Sequence, residues 1–204
     1  MAADSMFSKE NKDLPPTFEC KVRIYGKFAV VASGLYGKPG TAYDVWECFR
    51  KASVGTDSLL QFTATAERLI RPGLTPTFLN LIERFPDRWK THVGDAPLQY
   101  IVVTISTTGP ALMMRFFDYT GALPLIATGD PVAYESGPIR FSLIGIHDHM
   151  NPNSRELLGL HAEDIAAALV NTEIRNHPET VGGPISVLLI SRSGMRWIQA
   201  ATCK

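Results

Sequence analysis

The sequence carries no excess of charge of either sign, because 20 basic residues balance 20 acidic ones among its 204 residues. A protein that binds nucleic acid or anionic lipid through its overall field needs a strong positive charge. Binding of either kind would here depend on a local patch, and sequence-specific binding of nucleic acid is not expected. The same balance leaves little repulsion between copies, which is compatible with self-association.

Cysteine and long apolar runs are also scarce. Cys20, Cys48 and Cys203 lie far apart, without the spacing of a metal site or a disulfide framework. This pattern predicts free thiols in a reducing compartment. No stretch approaches the roughly 20 apolar residues needed to span a bilayer, and the first residues are polar where a signal peptide is apolar. We therefore expect a protein that is not secreted and has no transmembrane segment.

Familiar catalytic motifs are missing as well. The sequence contains no Gly-x-Ser-x-Gly elbow, no P-loop and no Gly-x-Gly-x-x-Gly. Its one metal-like pattern is His147 and His149, which would share one face of a strand, with His161 as a third ligand. A solvated turn explains the same residues. We predict no cofactor and no enzymatic activity, and a cytosolic α+β enzyme with metal at His147 and His149 is the alternative.

A proline pair near the N-terminus is the most informative motif present. Residues 1–17 are predicted to be a mobile polar tail, ahead of a single domain over residues 18–204. Pro15 and Pro16 fix the backbone and remove two donors, so the segment is predicted to be extended and readable by a groove or a neighbouring molecule. A stiff leader into the first strand is the other interpretation. The candidate partner-binding residues are Pro15, Pro16, Thr17 and Phe18.

The first part of the domain is predicted to be a strand pair followed by helices. Period-two alternation over residues 18–33 breaks at Gly26-Lys27, as in a hairpin. The next loop carries Leu35 and Tyr36 at its tip, which makes them candidates for a loop contact, although apolar residues at such a tip more often pack within their own loop. Thr41 and Asp44 resemble a capping box, while Arg71-Pro72-Gly73 predicts the end of a helix. The predicted helices cover residues 41–52, 56–70 and 77–85.

The second part is predicted to alternate strands and loops before a last helix. Residues 121–137 are rich in Gly and Pro and are predicted to be an irregular, candidate functional loop with one short strand near Leu125. The predicted strands cover residues 98–106, 112–118, 139–147, 185–191 and 195–201, and the last helix covers 153–171. Hairpins with segregated helices indicate an α+β fold, in which an antiparallel sheet built from hairpins packs against a helix pair, with a C-terminal helix and a closing β-hairpin.

Basic side chains are interleaved with Phe85 and Trp89 in the middle of the chain. Such a cluster can bind phosphates or a membrane surface, although a solvated helix end, with Trp89 partly in the core, is the more common reason for this pattern. The candidate residues for an acidic-surface or membrane patch are Arg68, Arg71, Arg84, Arg88 and Lys90.

The order of elements resembles that of the matrix proteins of rhabdoviruses. Four local strings are similar in character: Pro15-Pro16-Thr17-Phe18, Tyr43-Asp44-Val45, residues 139–148 and residues 191–197. Phe18 stands where the family's Pro-Pro-x-Tyr motif has tyrosine.

The resemblance implies a small non-enzymatic structural protein of the virion and host cytoplasm that is peripheral on the membrane. Its implied partners are other copies of itself, the viral nucleocapsid, the inner membrane surface and host proteins, and its implied role is assembly and budding. A viral accessory protein that binds a host factor is a further alternative.

Overall fold

The computed structural model describes residues 2–3, 6–7, 17–18, 20–37, 41–86, 96–107, 109–121, 125–129, 131–133, 151, 155–178, 181–182 and 184–200. The strands are β1 (Ala2–Ala3), β2 (Met6–Phe7), β3 (Thr17–Phe18), β4 (Val22–Tyr25), β5 (Phe28–Gly34), β6 (Leu98–Ser106), β7 (Gly109–Asp118), β8 (Ile126–Thr128), β9 (Pro131–Ala133), β10 (Ser186–Ser191) and β11 (Gly194–Ala200). The helices are α1 (Val45–Ser53), α2 (Leu59–Arg84) and α3 (Ala162–Asn176), with a 3₁₀ turn at Arg155–Leu157. The predicted α+β fold is confirmed.

The largest sheet is antiparallel and has the strand order β4-β5-β6-β7-β8, with β9 also pairing with β7. Strand β5 runs beside β6 from the pair Phe28–Thr104 to the pair Gly34–Leu98. The hairpin turn at Gly26-Lys27 is confirmed, and Gly26 adopts the positive φ of 60° that such a turn favours. Strand β5 is buried almost throughout, as an interior strand with apolar cover should be.

Both α1 and α2 pack on this sheet through aromatic side chains. Phe49 of α1 lies 5.0 Å from Tyr100 of β6, measured between ring centroids, and Phe62 of α2 lies 4.6 Å from Phe28 of β5. The rings of Phe49 and Phe62 also stack on each other at 6.1 Å. One aromatic cluster therefore joins the predicted helix pair to the sheet.

The first helix begins at Val45, and its cap differs from the prediction. Asp44 is the capping residue, because its Oδ1 accepts hydrogen bonds from the backbone N–H groups of Trp46 and Glu47 at 3.0 and 3.3 Å. Thr41 instead donates its hydroxyl to the backbone oxygen of Tyr43. The sequence predicted the helix correctly but placed its start too early. Asp44 is the cap because its carboxylate accepts from two backbone N–H groups of the first turn.

The predicted break at Arg71-Pro72-Gly73 is wrong, since α2 is a single helix of 26 residues that passes through Pro72 and Pro76. Its buried side chains continue at helical spacing on both sides of the prolines, and both proline rings lie on the exposed face. The buried residues are Phe62, Thr63, Ala66, Ile70, Leu74, Phe78 and Leu81.

The last helix and hairpin form a separate small cluster with the start of the chain. Strand β10 pairs with β11 as predicted, and on its other side β10 pairs with β1 through Ala2–Val187 and Ala3–Ser186. Val170 of α3 packs with Ile185 and Val187. The described residues of the predicted tail are thus paired strands, because β2 also pairs with β3.

The chain divides into two compact units. The first, which we call the helix-pair unit, comprises Ile24–Thr104 and Ala111–Tyr134. The second, which we call the terminal unit, comprises Met1–Arg23, Ile105–Pro110 and Glu135–Lys204, so it contains both ends of the chain. The boundary predicted after residue 17 stays a prediction.

Several further predictions have mixed outcomes. The strand near Leu125 is confirmed as β8, but β9 was not predicted. The helix over residues 153–171 is wrong at both ends, since the chain turns at Gly159, which has a φ of 82°, and α3 runs from Ala162 to Asn176. The strand predicted over residues 139–147 lies outside the described residues.

The cysteine prediction is wrong in part. Cys20 is disulfide-bonded, whereas Cys48 on α1 is the free cysteine among the described residues. Burial, assisted by the nearby carboxylate of Asp44, raises the pKa of the Cys48 thiol. Within the described part of the chain, no helix combines the length and the apolar composition needed to cross a membrane.

Candidate functional site

The proline motif is described only at its C-terminal end. Pro15 and Pro16 lie outside the described residues, while Thr17 and Phe18 form β3. Their backbone pairs antiparallel with Phe7 and Met6, respectively. The end of the motif is thus part of a two-stranded ladder, and its role in binding a partner stays a prediction.

The basic residues do not form one cluster among the described positions. Arg68 and Arg71 are three residues apart on α2 and share a face. Arg84 ends the same helix, so it lies about 20 Å further along the axis than Arg71, and its guanidinium lies 5.5 Å from the centre of the Phe85 ring. Arg88 and Lys90 lie outside the described residues. The continuous helix therefore separates the candidates that were expected to act together.

The loop after β5 is packed rather than projecting. Tyr36 is buried, its ring stacks on Trp46 at 5.6 Å, and its hydroxyl donates to the backbone oxygen of Ala32. Leu35 is half-buried, and its backbone N–H donates to Pro97 at 2.8 Å. Tyr36 is therefore a packing residue of the helix-pair unit, in agreement with the alternative that the tip residues pack within their own loop.

Tyr43, at the other end of the loop between β5 and α1, is hydrogen-bonded back to the start of that loop. Its hydroxyl donates to the backbone oxygen of Leu35 at 2.7 Å, and burial raises the pKa of that hydroxyl far above its ordinary value. A methyl group on Gly73 would lie 2.5 Å from the Tyr43 ring. Gly73, which looked like a helix stop in the sequence, is instead the position where α2 admits this ring.

The histidine cluster is not described at its centre, because His147 and His149 lie outside the described residues. His161 immediately precedes α3 and is exposed. Among the described residues, no group of three or more His, Cys, Asp or Glu side chains is arranged to hold a metal ion. The metal-site alternative stays a prediction.

A buried polar network links α2 to the sheet. Arg115 of β7 forms an ion pair with Glu67 of α2, with Nε 2.6 Å from Oε1, and both side chains are less than 20% exposed. The same guanidinium donates to the backbone oxygens of Gly129 and Ala127. Burial raises the pKa of the neighbouring Tyr100 hydroxyl. This network holds α2, β7 and β8 together, which is a structural role.

Two exposed apolar sites were not predicted from the sequence. The first, which we call the helix-pair tip, is the connection between α1 and α2 with its flanking bases. Val54 and Leu60 are 72% and 65% exposed there. Lys27 donates to the carboxylate of Asp57 at 2.9 Å, so the β4–β5 turn lies against the same connection. The remaining members are Arg50 and Lys51, both ion-paired with Glu47.

The second site, which we call the leucine turn, precedes α3 in the terminal unit. Leu158 is 77% exposed and Leu160 is 41% exposed. Gly159 between them has a positive φ, and the backbone N–H of Leu160 donates to Leu157 at 3.3 Å. The remaining members are Arg155, Glu156, Glu163 and Asp164.

The signal for both sites was present in the sequence as an apolar residue beside a turn glycine, at Val54-Gly55 and Leu158-Gly159. Such pairs are common, and only the fold shows whether the apolar side chain is covered. No family model matches this chain, and no curated protein matches it at a significant level.

Proposed function

We propose that this chain is a non-enzymatic structural protein of the rhabdovirus matrix type. It would self-associate and link the viral nucleocapsid to the membrane during assembly and budding. The supporting observation is the order of elements: a strand pair, a helix pair packed on an antiparallel sheet, and a C-terminal helix followed by a hairpin. The resemblance stated from the sequence rests on that same order.

The proposal places the protein in the virion and in the host cytoplasm, peripheral on the inner face of the membrane. Its overall charge balance means that lipid binding would depend on local bases. Among the described candidates for that contact, Arg68 and Arg71 lie together on one face of α2 and are exposed and half-buried, respectively.

Three measurements on the purified full-length protein test the proposal. Sedimentation velocity over a concentration series should show self-association. Co-sedimentation should show binding to vesicles that contain anionic lipid, and to nucleocapsids. A protein that stays monomeric and binds neither vesicles nor nucleocapsids would contradict the matrix-type function.

Charge reversal on α2 tests the membrane contact separately. The double variant Arg68→Glu and Arg71→Glu should bind anionic vesicles at least tenfold more weakly, because each base near a membrane surface contributes about 1 kcal/mol. The matched control is the double variant Arg175→Glu and Arg196→Glu, which changes the net charge by the same amount at two exposed arginines outside α2. Equal losses in the two proteins would show that the α2 bases have no special role.

A further inference from the structure

The most exposed large apolar side chains of the described residues occur at the two sites that lie at element junctions. Val54 and Leu60 belong to the helix-pair tip, and Leu158 belongs to the leucine turn. Single exposed apolar residues are ordinary on protein surfaces, whereas exposed apolar surface rimmed by polar residues marks a site where another molecule binds. The charges around the helix-pair tip and the leucine turn then indicate what kind of surface would bind each of them.

The helix-pair tip carries an excess of positive charge. Lys27, Arg50 and Lys51 are its bases, against the two carboxylates of Glu47 and Asp57. The Arg50 guanidinium, through its hydrogen bonds, is the main cause that holds the pKa of Glu47 below its ordinary value.

Hydrogen bonds hold the backbone of the helix-pair tip in place. Lys27 donates to both the backbone and the side-chain oxygen of Asp57, at 2.8 and 2.9 Å. The backbone N–H of Val54 donates to Lys51 at 3.3 Å. A side-chain carbon added at Gly55 would meet nothing within 4 Å, so the connection has open space beside it.

The leucine turn has the opposite charge excess. Glu156, Glu163 and Asp164 supply three carboxylates, against the single base Arg155. The turn is held by backbone hydrogen bonds from Leu158 to Arg155 at 3.2 Å and from Leu160 to Leu157 at 3.3 Å. It therefore presents apolar side chains from an ordered backbone, as the helix-pair tip does.

We propose that the helix-pair tip of one copy docks on the leucine turn of a second copy. Each surface offers exposed apolar side chains for burial, and the two surfaces have opposite charge excess. Charges at the rim of such a contact select the partner and its orientation more than they add affinity. The proposal rests on the self-association that the proposed function includes, and it names the surfaces that associate.

A contact between two different surfaces has a consequence for assembly. Because the two surfaces differ, the contact is heterologous, and an open assembly keeps one unused tip at one end and one unused leucine turn at the other. Copies can therefore add one after another, and the product is an open filament or, where the rotation closes, a ring.

The test uses two full-length variants that each lose one surface. Val54→Asp places a carboxylate in the tip, and Leu158→Asp places one in the leucine turn. Each should weaken self-association at least about tenfold, the loss expected for removing a buried aliphatic contact. Ile126→Asp is the control, because Ile126 is a half-exposed apolar residue of β8 that belongs to neither surface. Sedimentation velocity measures the association, and circular dichroism verifies the fold.

Mixing the two variants gives the sharper result. Val54→Asp retains the leucine turn, and Leu158→Asp retains the tip, so an equal mixture should form dimers and nothing larger. A mixture that stays monomeric, or single variants that assemble like the unchanged protein, would overturn the docking proposal. An unchanged protein that is itself monomeric at every concentration would overturn the self-association on which it rests.

A second pair of variants covers the case in which the aspartate variants do not fold. Lys51→Glu and Glu156→Lys should each weaken association. Mixing them should restore it, because each mixed contact then joins either two unchanged surfaces or two surfaces whose charges are exchanged. Lack of restoration would count against the contact. If Val54→Asp loses binding to anionic vesicles but keeps self-association, the tip is a lipid-binding surface and the proposal is wrong.

Discussion

Arg115 shows how a single side chain can fix three elements. Its guanidinium holds the Glu67 carboxylate of α2 and two backbone oxygens that belong to β8 and the residue after it. A planar fork of donors can satisfy several acceptors at once, which a lysine ammonium does less well. Because the pair is mostly shielded from water, losing either partner leaves the other charge poorly solvated.

Arg115→Met should therefore lower the free energy of unfolding by about 2–4 kcal/mol, somewhat less than the loss of a fully buried pair. Urea denaturation followed by circular dichroism measures this. The free energy of unfolding of Arg115→Lys should lie between those of Arg115→Met and the unchanged protein. Lysine keeps the positive charge but lacks the several donors of the planar guanidinium.

Arg50→Met is the matched control for this prediction. Arg50 forms an equally short ion pair with Glu47, at 2.6 Å, but both side chains are exposed. Solvent screens the charges of such a pair. Arg50→Met should therefore lower the free energy of unfolding far less than Arg115→Met does. Similar losses at the two positions would show that burial does not govern the strength of the Arg115 pair.

Cys48 gives a second prediction for a single residue. Burial is the largest cause that raises the pKa of its thiol, so less of it is thiolate at any given pH than in the unfolded chain. Iodoacetamide should modify Cys48 more slowly in the folded protein than in urea at pH 8, as measured by mass spectrometry of its peptide.

The sign of the pH effect on Cys48 follows from the same shift. A thiol with a raised pKa stabilises the fold fully below its unfolded pKa, and this contribution is lost as the pH rises through its folded pKa. Cys48→Ser should therefore reduce the loss of stability between pH 8 and pH 10. An identical loss in both proteins would show that Cys48 does not titrate as a buried thiol.

At the scale of elements, α2 shows why the sequence predicted two helices where there is one. Two interior prolines cost about 3 kcal/mol each, and this local penalty suggested a break. Burial of Ile70, Leu74 and Phe78 stabilises the folded state by about 1.5–3 kcal/mol for each side chain. Packing along one face therefore outweighs the lost backbone hydrogen bonds, and that packing depends on a sheet that the local sequence does not show.

Leu74 tests whether the helix is continuous, because it lies between Pro72 and Pro76. It is fully buried, so Leu74→Ala should lower the free energy of unfolding by about 2–5 kcal/mol. In a linker between two helices the same change would have little effect.

Leu79→Ala is the matched control for Leu74→Ala. Leu79 lies on the same helix but is 36% exposed, so its truncation should cost less than about half as much as that of a buried leucine. Equal costs, measured by urea denaturation, would argue against the continuous buried stripe.

The features that the sequence predicted correctly depend on neighbouring residues, whereas those it missed depend on residues far apart in the chain. The closing hairpin around Arg192-Ser193-Gly194 and the strand pair at Gly26-Lys27 were predicted correctly, because turn residues and alternation are local signals. The pairing of β1 with β10 was missed, because it joins residues that are far apart in the sequence. The exposed tip at Val54 was missed for a similar reason, since exposure depends on what the rest of the fold covers.

At the scale of the whole molecule, Ala3 tests whether the first strand belongs to the terminal unit. Its side chain is buried beside Ser186, so Ala3→Asp would bury a charge and should cost about 1–3 kcal/mol of unfolding free energy. Thermal unfolding followed by circular dichroism measures this cost.

Ala162→Asp is the control for the same unit. Ala162 is exposed in the first turn of α3, where a negative charge is favourable. This variant should be as stable as the unchanged protein or slightly more so. If Ala3→Asp is equally stable, the pairing of β1 with β10 does not contribute to the fold in solution.

The pairing of residue 2 with residue 187 also sets a time order for biosynthesis. During translation the first strand leaves the ribosome long before its partner exists, because the partner is made only when synthesis reaches residues 186 and 187. The three-stranded terminal sheet can therefore close only after residues 186–200, which form its other two strands, have been made. Contacts between such distant residues slow folding, so the first strand remains open to a chaperone, or to the finished sheet of another molecule, throughout synthesis.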